Sequence, residues 1–399
     1  MKKTLIATLI LGAAAAFAMD EDGWASTYES LAAFDSKIIG YGNRPGYVKP
    51  IIDNLGNVLN SNWYISASVP KSLAIEFGLP ISIIPIGDDD RNFNESVDIL
   101  GQTITAENPT IFGEHGNPQQ PDGRIYGNET LNDLGVFSYP YLQLGVSAFH
   151  ARVVLRGMFL PPISELRKFN LFGFGLQYSF GHFFQYMLPA AAQPLDVSLV
   201  FGYNTSGIGY RPDNYDGELN LDVSTTNFSV VIGYKPISFF EVLMSLGYQS
   251  AEMKSSGHLV GNATLNGLPD YSRDYGKEIS PDITVKGNNG FRFGIAIALQ
   301  LGKTFHPVVG YDYAGKSSFT TNVIYFRQQF GEDKTPDEIA KEKGYVRGAK
   351  QEEAPVSEPA SEPAEDTETE SAEEVETDAA DTAEEPAGEE ETETSEEDF

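Results

Sequence analysis

The residues of this chain best suited to metal binding or acid–base chemistry are histidines and a run of aspartates. No two of the histidines have the spacing of ligands on one face of a helix, and the run Asp88–Asp89–Asp90 lacks the alternating acids and the distal Glu of a calcium loop. The sequence therefore predicts no metal site and no cofactor, and a solvated loop around the aspartates. The five histidines are His115, His150, His182, His258 and His306.

A hydrolytic site would need a nucleophile, a base and an orienting group held together. Cysteine is absent, which removes thiol catalysis, and Ser179 and His182 are candidates only because they are close in sequence. Because they are three residues apart, an extended strand would turn them to opposite faces. The sequence predicts that the protein is not an enzyme.

Four charged residues stand in rows that oppose apolar rows, which predicts that they line the inside of a barrel: Arg152, Arg156, Glu241 and Arg292. Two interpretations of the role of these charges are compatible with the sequence. They could tune the ion selectivity of a pore, or they could pack as ion pairs within a filled lumen.

The element that must position these charges is best seen at 172–180, which splits into two faces with a period of two. One face carries five bulky residues and the other only small or uncharged ones. The bulky row covers nine residues, close to the ~9–11 that a tilted transmembrane strand needs. A lipid-facing apolar row opposite a small, polar row is typical of a transmembrane β-strand. The bulky residues are Phe172, Phe174, Leu176, Tyr178 and Phe180.

The same alternation recurs at 227–234, 240–249 and 291–302, and several apolar rows begin or end on Phe or Tyr. Aromatic residues at both ends of an apolar band are typical of membrane interfaces. The pattern predicts an all-β fold, a transmembrane antiparallel β-barrel of about 12–14 strands. Its first strands are expected at Asn62–Val69 and Leu73–Ile86, and its last ends at Phe330.

The chain is expected to divide into four regions. Residues 1–18 have the charged, apolar and small-residue parts of a secretory signal peptide, residues 19–60 a helical N-terminal segment that could plug the lumen, and residues 61–330 the barrel. Residues 331–399 form an acidic tail predicted to be disordered, since its last 49 positions hold 22 Asp and Glu and no Lys or Arg.

These features predict location and partners. A signal peptide followed by alternating strands indicates the cell outer membrane, with outer-membrane lipid and the barrel assembly machinery as partners. Nucleic acid is not expected, because no basic stripe is present. The acidic tail suits a periplasmic partner with a basic surface.

Short motifs strengthen the barrel prediction: Asn60–Ser61–Asn62–Trp63–Tyr64, Phe77–Gly78–Leu79, Pro109–Thr110–Ile111–Phe112–Gly113 and Gly175–Leu176–Gln177–Tyr178–Ser179. Through them the chain resembles an uncharacterised family of bacterial outer-membrane β-barrels, similar in outline to long-chain fatty-acid transporters of the FadL type. The resemblance covers roughly residues 45–330. It implies a hydrophobic small-molecule ligand, although the Asn-Pro-Ala triplet of the fatty-acid transporters is missing here.

Two functions are compatible with the sequence. The first is passive transport of small or hydrophobic solutes across the outer membrane, with the polar stretches 87–134 and 250–288 forming the outer entrance. The alternative is a structural or adaptor barrel with a filled lumen, whose acidic tail binds a periplasmic partner.

Overall fold

The structure is a computed structural model, and it describes most of the chain between Tyr28 and Tyr345. The predicted signal peptide and the acidic stretch from residue 346 onward lie outside the described residues. So do residues 19–27, 29–30 and 38–44 of the predicted N-terminal segment. The described residues are 28, 31–37, 45–99, 102–113, 135–162, 166–271 and 275–345.

Ten described strands pair into a closed antiparallel ring. They are β1 (Leu73–Pro85), β5 (Leu142–Ala148), β6 (Ala151–Leu160), β7 (Leu166–Ser179), β8 (Leu195–Tyr210), β9 (Tyr215–Ile237), β10 (Phe240–Gly261), β15 (Gly290–Leu299), β16 (Val308–Tyr313) and β17 (Ser317–Phe330). Each pairs with its neighbour along this series, and β1 pairs with β17 to close the ring.

Shorter strands and helices decorate the ring. The strands are β2 (Asn92–Ile99), β3 (Gln102–Pro109), β4 (Val136–Ser138), β11 (Thr264–Leu265), β12 (Leu268–Pro269), β13 (Glu278–Ile279) and β14 (Thr284–Lys286). The helices are α1 (Pro45–Asn60), α2 (Asp88–Arg91), α3 (Gly181–Phe184) and α4 (Pro336–Glu342), with 3-10 turns at Gln185–Met187 and Ala190–Ala192.

The predicted all-β antiparallel fold is confirmed, and the strand count needs one distinction. The main sheet has thirteen strands, within the predicted 12–14, but only ten positions around the ring. The difference arises because β4 pairs with β1 beside β5, while β13 and β14 pair with β10 in line with β15. β4 and β5 therefore share one position around the ring, and β13, β14 and β15 share another, with loop residues between the strands of each set.

The wall is apolar outside and polar inside over part of its height. On β9, Phe228, Val230, Ile232 and Tyr234 face outward, whereas Asn227, Ser229 and Gly233 are buried inside. Phe201, Phe228, Tyr248 and Phe291 follow one another across four strands as register partners, so aromatic rings mark one edge of the apolar band. This polarity is the reverse of a water-soluble protein and is typical of a wall in contact with lipid.

Beyond this aromatic row the polarity inverts. On the first part of β9, Asp216, Glu218 and Asp222 lie on the outer face, and Leu219, Leu221 and Val223 are buried. The same change occurs on β10, where Glu252 and Lys254 alternate with buried Ala251 and Met253. Residues 250–261, predicted as part of a long excursion, therefore continue β10. The wall extends past the apolar band as a conventional β-structure with an apolar core.

The two ends of the ring differ. Residues 149–150, 180–194, 238–239 and 300–307 connect strands at one end, called here the short-turn end. Residues 86–135 and 262–289 connect strands at the other, called the long-loop end. Among the described residues, no helix has the length and apolar character needed to cross a membrane.

Candidate functional site: a segment of the chain inside the ring

Residues 45–70, named here the lumenal segment, run through the inside of the ring from the long-loop end to the short-turn end. They comprise α1 and an extended stretch at 61–70. Side chains from opposite walls, such as Arg152 on β6 and Glu241 on β10, bond to this stretch. Since α1 also contacts β1, β8, β9 and β10, the segment is enclosed by the ring.

The prediction of a wall strand at Asn62–Val69 is wrong. These residues alternate between buried and less buried positions, which produced the strand-like pattern, but they pair with no strand of the ring. The alternation arises because the extended stretch is surrounded by wall side chains. The wall begins at Leu73, and α1 lies within the predicted helical segment 19–60, with Pro50 inside the helix.

The apolar side of α1 joins the core of the long-loop end. Ile51, Leu55 and Val58 recur at the spacing of one helix face and pack in a cluster with wall residues such as Tyr210 and Leu221. Burial of a large aliphatic side chain contributes about 1.5–3 kcal/mol. The part of the lumenal segment at the long-loop end is therefore held mainly by apolar packing.

At the end of α1 the contacts with the wall are polar instead of apolar, and Arg156 makes several of them. The Arg156 guanidinium donates to the carbonyl oxygens of Leu59 at 2.8 Å and Ser61 at 2.7 Å. These carbonyls lie at the end of the helix, where backbone acceptors lack partners within the helix and a cation is favoured. The guanidinium also lies 3.4 Å from the centre of the Trp63 ring system, a cation–π arrangement.

Trp63 lies against a slot made by two glycines. Gly175 of β7 and Gly202 of β8 are register partners. A Cβ atom at Gly175 would lie 2.6 Å from the indole, and one at Gly202 would clash with it more severely. The small inward row of the stretch 172–180 therefore makes room for a side chain of the lumenal segment. Trp63 is held between this slot and Arg156.

Arg292 on β15 holds the same helix end from another direction. It donates to Ser61 Oγ at 2.6 Å and to Gln249 Oε1 at 2.7 Å, and pairs with Asp312 at 2.9 Å. Gln249 in turn donates to the side chain of Asn57 at 2.7 Å. The last turn of α1 is thus bonded to opposite sides of the ring.

A second polar cluster lies where β1 meets β17. Glu76 of β1 accepts from Arg152 Nε at 2.5 Å, from Arg327 Nε at 2.8 Å and from the Tyr325 hydroxyl. Arg152 also donates to the Trp63 carbonyl at 2.7 Å. The seam that closes the ring and the lumenal segment therefore share one buried carboxylate.

Glu241 binds the segment near the short-turn end. Its two carboxylate oxygens accept from the Ala67 N–H at 2.9 Å and the Ser66 hydroxyl at 2.8 Å. Gln177 of β7 donates to the Ser66 carbonyl at 2.7 Å. Together these bonds fix the extended stretch on both sides.

All four predicted lumen-lining residues are buried, and each bonds directly to the lumenal segment. The sequence allowed two roles for these charges, tuning the ion selectivity of a pore or packing as ion pairs. The contacts favour ion pairs and hydrogen bonds within a filled lumen. Sequence reasoning missed the partners on the segment and the seam, because nothing local marks Glu76, Trp63 or Tyr325 as partners of distant arginines. The glycine row was the one available signal that something large lies against the wall.

No group of three or more His, Asp or Glu side chains suited to a metal ion occurs among the described residues. Ser179 and His182 also lack a hydrolase arrangement. The Ser179 hydroxyl bonds to Asp196, while the His182 ring contacts the Ser179 carbonyl through Nδ1 and stacks on the His150 ring, with centroids 4.0 Å apart.

Comparison with known proteins places the chain in a family. The model of DUF6588, described as a family of unknown function, matches residues 1–323. The chain belongs to this family. None of the curated proteins matches it.

Solved structures give weak similarities. The toluene transporter TbuX of Ralstonia pickettii is 9% identical, with 68% of this chain and 93% of that chain covered and a TM-score of 0.21. The P. putida toluene transporter TodX is 9% identical, with 66% and 91% covered and a TM-score of 0.21. TM-scores this low do not establish a common fold, and the ring is defined by the strand pairing of this chain alone.

The ferric citrate transporter FecA is 10% identical over 64% of this chain, with a TM-score of 0.23. The chain spans 40% of the length of FecA. The resemblance to FadL-type transporters stays a prediction.

Proposed function

We propose that this protein is an outer-membrane barrel that lets small or hydrophobic solutes cross the membrane passively, with the lumenal segment as its gate. The outward apolar band supports a position in lipid, and the signal peptide expected at 1–18 supports the outer membrane.

We infer the gate from the interface between the lumenal segment and the wall, where the hydrogen bonding of polar atoms is incomplete. Among the described residues, buried polar atoms without partners lie on both sides of this interface. On the segment they belong to Asn54, Asn57, Asn60 and Trp63, and on the wall to Gln143, Asn204 and Asn322. Water or a polar group of a solute that enters between segment and wall can bond to these atoms, which favours an interface that opens.

A reversible cross-link tests the gate. A Cβ on Gly56 would lie 2.7 Å from the Cβ of Ala251 on β10, so Gly56→Cys with Ala251→Cys should form a disulfide between α1 and the wall after small adjustment. The matched control is Ala74→Cys with Ser147→Cys, which are register partners on β1 and β5 and join two wall strands only.

The readouts are ion conductance in planar bilayers and uptake of a hydrophobic fluorescent solute into proteoliposomes. We expect the α1 cross-link to suppress flux and reduction to restore it, while the control pair leaves flux unchanged. Equal flux in the oxidised and reduced α1 pair would overturn the gate. Absence of flux in the reduced protein and after deletion of residues 19–60 would overturn transport itself.

The adaptor function has one observation in its favour. Helix α4 and Tyr345 dock at the short-turn end, where the Tyr345 hydroxyl donates to the Met187 carbonyl and Lys343 lies 4.2 Å over the Tyr186 ring. The described chain therefore ends, at Tyr345, at the end of the ring that faces the periplasm in the proposed orientation. A pull-down with residues 346–399 deleted tests it, since an adaptor must lose a basic partner.

A further inference from the structure

Helix α1 has a polar side and an apolar side although the ring encloses it. With about 100° between successive residues, its charged and amide side chains fall within roughly 140° of the helix circumference, and its large apolar side chains lie on the remainder. A helix enclosed by apolar packing alone is normally apolar all round. The polar half therefore indicates that one side of α1 meets a hydrophilic surface. Its residues are Lys49, Asp53, Asn54, Asn57 and Asn60.

This half of α1 is turned toward β10. The side chain of Asn57 accepts from Gln249 at 2.7 Å, and the Asn60 amide donates to the Ser250 carbonyl at 3.3 Å. Among the described residues, the α1 side-chain atoms that are buried without a partner also belong to this half, on Asn54, Asn57 and Asn60. Water can take the place of these bonds when the two surfaces separate. Separation on the opposite side would expose apolar surface to water, so α1 parts more easily from β10.

Strand β10 continues the polar row toward the short-turn end. Two further inward residues bond to the extended stretch. Ser245 Oγ accepts from the Tyr64 hydroxyl at 2.8 Å, and Glu241 accepts from the Ser66 hydroxyl at 2.8 Å. Leu243, between them, is fully buried and makes one apolar step in the row. Polar contacts therefore follow β10 along most of the lumenal segment.

The row reaches a small cavity at the short-turn end, with a volume of about 30 Å³. Since one water needs about 10–15 Å³, the cavity has room for about two. His306, which lines it, has its Nε2 atom buried without a partner among the described residues, and a water can bond to such an atom. The cavity therefore suits hydrophilic occupants. Its polar lining comprises Ser66, Lys235, Glu241, Gln300, His306 and Arg327.

Charged groups along the row are accompanied by groups of opposite sign. A path lined by charges of one sign selects ions of the other sign, and balanced pairs give no such preference. The amide and hydroxyl groups between them supply both hydrogen-bond donors and acceptors. The row therefore matches an uncharged hydrophilic molecule. The pairs are Lys49 with Asp53 at 2.6 Å, Arg292 with Asp312 at 2.9 Å, and Lys235 with Glu241, which both line the cavity.

We propose that the solute passes along this row, between the lumenal segment and β10, and that it is a small uncharged hydrophilic molecule with hydrogen-bond donors and acceptors, such as a sugar or an amide. The inference rests on the transport role in the proposed function and narrows its solute class. The polar groups of the row can exchange their bonds for bonds to this solute one at a time, while the apolar half of α1 stays packed. A hydrophobic molecule on the same row would leave these groups unpaired.

Cysteine labelling tests the location, since the chain has no cysteine of its own. Asn57→Cys and Asn60→Cys place a thiol on the polar half of α1, and the controls Leu55→Cys and Val58→Cys place one on the apolar half. The probe is a water-soluble cationic methanethiosulfonate, added to both sides of proteoliposomes that hold the full chain. We expect the polar-side thiols to react at least about tenfold faster, because local opening exposes them to water.

Two sites on each half keep the comparison valid if one variant does not fold, which migration as the folded band on a detergent gel checks. Equal rates on the two halves would overturn the location of the path. Absence of reaction on the polar half would overturn it as well.

Uptake by the same proteoliposomes tests the solute class, with arabinose as the uncharged hydrophilic probe, N-phenyl-1-naphthylamine as the hydrophobic probe, and protein-free vesicles as the baseline. We expect arabinose to enter, and labelling of Asn57→Cys to remove most of its uptake, while Leu55→Cys treated with the same reagent keeps the native rate. Entry of the hydrophobic probe without arabinose would overturn the hydrophilic path and leave transport standing. Entry of neither probe would overturn transport, and this solute class with it.

Discussion

The guanidinium of Arg156 covers the ring of Trp63 at 3.4 Å while it caps the end of α1 through Leu59 and Ser61. One wall residue thus fixes both the helix and the extended stretch that follows it. Arg is suited to this dual contact because its planar group can stack and donate in a fork at the same time. The position of the lumenal segment should depend on Arg156 more than on any single contact of the apolar cluster at the long-loop end.

Replacing Arg156 should release the end of α1. Arg156→Gln leaves the Leu59 and Ser61 carbonyls short of donors, and Arg156→Lys, with a compact ammonium, restores only part of the contact. We expect amide hydrogen exchange at residues 57–64 to rise at least tenfold in Arg156→Gln and less in Arg156→Lys. Arg211→Gln, at an exposed pair near the long-loop end, is the control. Unchanged exchange in Arg156→Gln would contradict the clamp.

The glycine slot makes a separate prediction. Gly202→Ala places a methyl group within 2.1 Å of the Trp63 indole, so the ring must leave the slot. In a Trp24→Phe background Trp63 is the only tryptophan, and its fluorescence should shift to longer wavelength as it meets a more polar environment.

Gly135→Ala is the control for the slot, since a Cβ there meets nothing within 4 Å. Adding Trp63→Leu to Gly202→Ala should recover the thermal stability lost by the single change. A Gly202→Ala protein with native fluorescence and stability would show that the slot does not hold Trp63.

The residues that could be predicted from sequence are those whose pattern is set by the wall itself. The outward row at 172–180 and the inward charges follow from a period of two, and both appear in the structure. The extended stretch at 62–69 has the same period for another reason, enclosure by side chains, and a periodic pattern does not distinguish the two. Residues 250–261 were missed because their outward row is polar, as expected for a strand that has left the apolar band.

Contacts over long sequence distances could not be predicted in the same way. Glu76 and Arg327 are 251 residues apart and become neighbours only when the first strand pairs with the last. Nothing in the local sequence of either strand specifies that pairing.

The seam should depend on Glu76. Glu76→Gln removes the charge that two arginines share, and breaking a buried ion pair costs about 3–5 kcal/mol. We expect the variant to convert from the folded to the unfolded gel band in detergent at a clearly lower temperature than the native chain. Glu252→Gln, which removes the partner of exposed Lys254, should change this temperature little. If both variants convert at the native temperature, Glu76 does not stabilise ring closure.

The stacked histidines should make the short-turn end sensitive to acid. Burial and, secondly, the neighbouring His150 lower the pKa of His182 below its usual 6.5. Because the folded protein favours the neutral ring, the stability contributed by this contact is present above pH 6.5 and is lost as the pH falls through the lowered pKa. NMR titration of labelled histidine ring signals should give a midpoint for His182 below 6.5. His150→Asn should raise the His182 midpoint. A midpoint that His150→Asn leaves unchanged would show that the two rings do not interact electrostatically.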